Sequence, residues 1–131
     1  MNKCKITVLK TTFERELAEE YGGAGLGVCC HREGDPASGF YIPENSEGHC
    51  PVHKEGEVFY ADYRMPEGFC NEAWKAFSHY VFALAHDSGR NDGLFFTGRW
   101  IRKPGVAICT CNDGLRPVFF KIEQTDEKVL P

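Results

Sequence analysis

Apolar and polar residues alternate near the start of the chain, with Cys4, Ile6 and Val8 on one face of residues 4–9. A period of two marks a half-buried strand. Thr11-Thr12-Phe13-Glu14 then has the form of a capping box, a hydroxyl followed three residues on by a carboxylate. It predicts a helix over residues 12–21, with Phe13, Leu17 and Tyr21 as the apolar stripe. Gly22-Gly23 ends that helix, and residues 22–49, rich in Gly, Pro, Ser and Asn, read as a long loop or insertion. Residues 57–63 predict a second strand, stopped at Met65-Pro66-Glu67-Gly68. Cys70, Ala73, Trp74, Phe77, Val81 and Leu84 then recur at helical spacing and predict a helix over residues 70–86, with Gly89 as its stop. Residues 105–111 and 115–122 predict two more strands, joined at Asn112-Asp113-Gly114. That tripeptide is a hairpin signal whose glycine is expected at positive φ. Residues 124–131 are polar and predict a frayed tail.

Hairpins interleaved with two helices imply an α+β fold, a small antiparallel or mixed sheet of about four strands with both helices packed on one face. At 131 residues the chain is one domain, 1–131. It is 42% hydrophobic and holds ten Phe, enough for a core without disulfides or metal.

The formal net charge of −4 gives no basic field for a nucleic-acid backbone. Arg90, Arg99, Arg102 and Lys103 crowd one stretch, but Asp87 and Asp92 dilute it; a solvated loop is the first reading and a site for a small anionic ligand the second. No apolar run approaches the ~20 residues that span a bilayer. With no signal-peptide core at Met1-Asn2-Lys3, the expected location is the cytoplasm. The oligomeric state is not legible. Gly22, Gly23, Gly25 and Gly27 fit neither dinucleotide nor phosphate-loop spacing, and they follow a helix where both motifs need a strand.

Seven cysteines in a reducing compartment should be thiols or ligands. They cluster with histidines as Cys29-Cys30-His31, His49-Cys50-Pro51-Val52-His53, Cys70, and Cys109-Thr110-Cys111, with Cys4 alone. Cys50-x-x-His53 lets one tight turn present sulfur and imidazole to a single ion. Cys109 and Cys111 share one face of a strand and could supply one ligand, or two with adjustment. Cys70 falls at a helix start, where amides and the helix dipole favour a thiolate, so it is a candidate ligand or nucleophile. The bland readings stand beside these. A cysteine often only fills core; that is the reading for Cys4. Cys29, Cys30 and His31 read as incidental in their loop. His79 and His86 read as solvated, and Phe119 and Phe120 as core.

Several segments together resemble an uncharacterised family of small cytosolic bacterial and archaeal proteins: residues 4–10, Cys50 followed by Gly56, Met65-Pro66-Glu67-Gly68-Phe69-Cys70 with Ala73-Trp74, Gly105-Val106-Ala107-Ile108, and Cys111-Asn112-Asp113-Gly114-Leu115-Arg116-Pro117-Val118. The resemblance implies that Cys50, Cys70 and Cys111 are family positions. It implies no activity.

Three functions follow. The first is a metal-binding protein, for zinc or iron, with Cys50, Cys70 and Cys111 as ligands and His53 or Cys109 as the fourth; soft sulfur selects these ions over calcium or magnesium. The second is a thiol enzyme or redox sensor, with Cys70 attacking, Cys111 or Cys50 resolving and His53 as base. The third is a non-catalytic binding module whose cysteines are packing.

Overall fold

The computed structural model describes residues 1–22, 49–86 and 100–129. Its elements are β1 (Asn2–Thr11), α1 (Arg15–Tyr21), β2 (Val58–Ala61), α2 (Asn71–His86), β3 (Val106–Thr110) and β4 (Val118–Lys128). The strands form one sheet in the order β2-β1-β4-β3, antiparallel throughout. The fold is α+β, and the mixed sheet left open by the sequence gives way to the antiparallel one. Among the described residues no helix is long and apolar enough to cross a membrane.

The alternation at the chain start does what its period demands. Cys4, Ile6 and Val8 are buried, and the register continues their rows across the sheet: Ile6 against Ile122 and Ile122 against Ala107, then Val8 against Phe120 and Phe120 against Cys109. α2 lies over this face, with Ala73, Phe77, Val81, Leu84 and Ala85 turned inward. Each fully buried Phe or Leu contributes about 1.5–3 kcal/mol relative to exposure.

Three expectations are corrected. The first concerns α1, which begins at Arg15. Thr11 pairs with Val118 in the sheet, Thr12 N–H donates to Pro117 O at 3.0 Å, and Glu14 N–H to Leu115 O at 2.8 Å. These bonds hold the chain extended through the would-be capping box, so no side chain caps the helix. Its stripe differs as well: Leu17 and Tyr21 are 46% and 70% exposed, and Ala18 is the buried residue. Gly22 does close it, for a Cβ there would collide with the Ala18 carbonyl oxygen.

The second concerns the tail. Residues 124–128 continue β4, with Gln124 opposite Cys4 and Lys128 opposite Asn2. Polar side chains add to the ladder here: Gln124 Nε2 donates to Leu84 O at 2.7 Å, Thr125 Oγ1 to Lys3 O at 2.8 Å, and Glu127 pairs with Lys3 at 2.8 Å.

The third concerns the last hairpin, whose connection runs from residue 111 to 117. Its chain reversal is carried by a side chain: Asp113 Oδ1 accepts the N–H groups of Leu115 at 2.8 Å and Arg116 at 3.1 Å, and Oδ2 accepts Arg116 Nε at 3.2 Å. Positive φ occurs at Gly56, Gly68 and Gly105 among the described glycines, not at Gly114. A Cβ at Gly114 meets nothing within 4 Å. Arg116 is 1% exposed, so Asp113 also holds the partner charge of a buried cation.

Asp113→Ala should therefore destabilise the fold by about 3 kcal/mol, the range for stranding one member of a buried ion pair. Gly114→Ala should change stability by less than ~0.5 kcal/mol. Urea denaturation of both variants checks this; a larger loss at Gly114 than at Asp113 would contradict the assignment.

Candidate functional site

The turn after Cys50 is fastened to β1 by its backbone: Val8 N–H donates to Glu57 O at 2.9 Å and Gly56 N–H to Val8 O at 2.8 Å. This docking buries His53 among aromatic rings. Its centroid lies 4.9 Å from that of Phe69, 5.4 Å from Phe59 and 5.5 Å from Phe120, the last two edge-on. A polar ring in such a cage must satisfy both nitrogens. Nε2 accepts the Cys70 backbone N–H at 3.2 Å, and Nδ1 lies 3.2 Å from Glu57 Oε1. Accepting at Nε2 requires a bare lone pair there, so Nδ1 carries the proton and donates to Glu57. Glu57 Oε1 also accepts Lys54 N–H at 2.8 Å, closing the turn.

His53 was expected as a metal ligand or as a base for Cys70. Its geometry is different: it binds the Cys70 amide, and both ring nitrogens are already engaged. The Cys70 carbonyl accepts Trp74 N–H at 3.0 Å, the first bond of the α2 ladder, so the imidazole satisfies an amide at the very start of that helix. Cys70 itself is 0% exposed.

Cys50 and Cys111 are alike in setting. Both are buried, and each stands beside a turn. The Cys50 sulfur accepts Val52 N–H at 3.4 Å, from the residue two ahead. At Cys111 the backbone at Val118 and Asp113 lowers the thiol pKa. The two sulfurs are near enough that charge on Cys50 raises the pKa of Cys111. For Cys111 burial is the largest effect and raises the pKa, and the two amides oppose it without cancelling it. Burial pushes Cys109 up to about 11 and Cys4 up to about 12. The Cys4 thiol is 3.5 Å from Val81 O, its acceptor, under α2, as expected of core. His79 and His86 are exposed.

Cys109 and Cys111 lie on one face of β3 and its extension, and both line a cavity of about 450 Å³ between β3 and α2, with Ala76, Tyr80 and Trp100. Among the described residues no three His, Cys, Asp or Glu side chains form a group that could hold a metal ion. The expected set of Cys50, His53, Cys70, Cys109 and Cys111 forms no such group: His53 is bonded into the aromatic cage, and Cys109 and Cys111 line the cavity. No disulfide forms among the described cysteines. Cys29, Cys30, His31, Arg90, Arg99, Asp87 and Asp92 lie outside the described residues; Arg102 and Lys103 are exposed.

Glu57 and Arg116 were not singled out from sequence. Glu57 stands four residues after His53, and Arg116 three after Asp113, spacings at which a turn brings acid and base together. Comparison with protein-family models, curated proteins and solved structures found no match to this chain.

His53→Ala should cost about 3 kcal/mol, since it opens a cavity and strands the Cys70 amide. Long-range ¹⁵N correlation spectra of the parent should show the proton on Nδ1; a proton on Nε2 would exclude the bond to Cys70. Cys4 makes a separate prediction. Its thiol keeps its proton to about pH 12 when folded and to about 9.0 when unfolded. The folded state binds more protons across that window, so stability falls as pH rises through it. Cys4→Ala should show a shallower alkaline decline in urea midpoint than the parent.

Proposed function

We propose that Cys50 and Cys111 are the sulfur pair of a soft-metal site, for zinc or iron, in a cytoplasmic protein. One observation carries this reading: two buried sulfurs, each beside a turn, interact electrostatically, with Cys50 accepting the Val52 N–H and the backbone at Asp113 and Val118 favouring the Cys111 thiolate. Amide donors stabilise a thiolate, yet burial keeps Cys111 above its ordinary pKa. A soft cation supplies the missing positive charge and lets such thiols ionise. The donor set fits zinc or iron better than calcium or magnesium. Two protein sulfurs leave further positions to water or a small ligand, and a metal so held supplies Lewis acidity. Cys70 would act by setting the start of α2. The chain would then join the family its segments resemble, with Cys50 and Cys111 as shared positions.

The reactive-thiol reading draws less support. Cys70, its attacking thiol, is wholly buried, and the raised pKa of Cys111 disfavours the thiolate of a resolving partner.

Zinc or cobalt(II) titration of anaerobic, chelator-stripped protein tests the proposal. One equivalent should bind with release of protons, and X-ray absorption should find two sulfurs at about 2.3 Å. Cys50→Ser and Cys111→Ser should each weaken binding at least about tenfold, a loss of roughly 1.4 kcal/mol, whereas Cys4→Ser should leave it unchanged. Failure of the parent to bind, or undiminished binding by both serine variants, would overturn it.

A further inference from the structure

The bond between His53 and Cys70 joins two parts of the chain that are each anchored elsewhere. The turn ending at Glu57 is held on β1 by its own backbone, through Val8 N–H to Glu57 O and Gly56 N–H to Val8 O. The body of α2 is held by Phe77, Val81 and Leu84, all buried in the core, and by Gln124 Nε2 donating to Leu84 O at 2.7 Å. The chain enters α2 through a turn closed by Phe69 N–H to Pro66 O at 3.2 Å, with Gly68 at φ +77°. Between the fixed turn and the fixed helix body lies the start of α2. Two polar ties hold it: the buried Cys70 N–H to His53 Nε2 at 3.2 Å, and the exposed Asn112 Nδ2 to Glu72 O at 3.1 Å.

The buried tie exists in one protonation state. Neutral His53 accepts at Nε2 and donates from Nδ1 to Glu57 Oε1 at 3.2 Å. An imidazolium carries N–H groups on both nitrogens. Its Nε2–H would meet the Cys70 N–H donor against donor, and the two groups must part. The charged group beside the ring is Glu57, which favours the imidazolium. The same turn carries the Cys50 thiol, the exposed Lys54 and Glu55, whose Oε1 accepts Thr11 N–H at 3.3 Å. The approach to α2 brings the Cys70 thiol and the Phe69 ring, and β2 and β4 present the rings of Phe59 and Phe120. The rings and the Cys70 amide oppose the charge.

We propose that this bond is a pH-sensitive latch on the start of α2, closed when His53 is neutral and opened by proton uptake at Nε2. Opening frees the first turn, from Cys70 to Trp74, and with it the enclosed Cys70 sulfur, while the rest of α2 and the sheet stay in place. The sign follows from linkage. The closed form keeps the ring neutral; the open form, with Glu57 still beside the ring, holds it at or above the ordinary pKa of about 6.5. The open form therefore binds more protons and gains as pH falls through that value. The latch needs no metal.

Amide hydrogen exchange by NMR between about pH 7.5 and 5, above the ordinary carboxylate range, tests this, with a chelator present so that metal release plays no part. Protection of the Cys70 and Trp74 amides, corrected for intrinsic rates, should fall about tenfold per pH unit below about 6.5. The Ile6 and Ile122 amides of the central strands should stay far more protected throughout. His53→Gln keeps an acceptor for Cys70 but takes up no proton, so its Cys70 protection should not vary with pH. Glu57→Gln keeps an acceptor for Nδ1 and removes the charge that favours the imidazolium, so the fall should begin at lower pH; if His53→Gln fails to fold, this variant decides. A Cys70 amide equally protected across the range, Ile6 and Ile122 amides that lose protection together with it, a His53→Gln variant with the parent's pH dependence, or an onset in Glu57→Gln that is unmoved or higher would each overturn the proposal.

Discussion

The hydrogen bond from the Cys70 amide to the His53 imidazole organises the described core. It joins the turn after Cys50 to the first residue before α2, and the ring that accepts it is enclosed by Phe59, Phe69 and Phe120 from β2, the α2 approach and β4. An imidazole in hydrocarbon is tolerable only when both nitrogens are satisfied. Glu57 satisfies the second, and the backbone of Glu57 is itself bonded to Val8 of β1. One neutral side chain thus couples three parts of the chain far apart in sequence. Phe69, Phe77 and Phe120 extend the same cluster beneath α2 with centroids 5.0–5.8 Å apart.

This constraint shapes the sulfur chemistry. Because His53 holds the Cys70 amide, α2 starts at a fixed point and Cys70 is carried into the core. Cys50 stands in the turn that His53 anchors and Cys111 at the start of the loop that Asp113 closes. The amide donor to Cys50 comes from its own turn, whereas the interaction of the two thiols comes from packing. The Asp113–Arg116 pair has the same dual nature, as an i,i+3 contact that also buries a guanidinium.

The β3 edge lies at the far side of the sheet from β2. Its exposure follows from strand order: β1 and β4 occupy the centre and carry the longest ladder, so the two short strands fall outside. Cys109, on this strand, and Cys111, on its extension, both line the cavity between β3 and α2.

Local periodicity alone determined much of this fold. The alternation of Cys4, Ile6 and Val8, the helical spacing from Ala73 to Leu84, and the exposure of His79 and His86 depend on neighbours in sequence, and a side-chain period survives any tertiary arrangement. The concentration of Cys and His around residues 50–53, 70 and 109–111 was equally legible as composition. Tertiary structure decided what those residues do. His53 became an amide acceptor because docking on β1 buried it beside Cys70, and nothing in Cys-x-x-His specifies that partner. The capping box at Thr11 was overridden by pairing with the loop before β4. The turn before β4 was set by the Asp113 carboxylate where Asn-Asp-Gly pointed to glycine geometry. The polar tail became a strand because a sheet uses backbone groups that every residue possesses, and Gln124, Thr125 and Glu127 found side-chain partners in Leu84 and Lys3 that only the fold brings near.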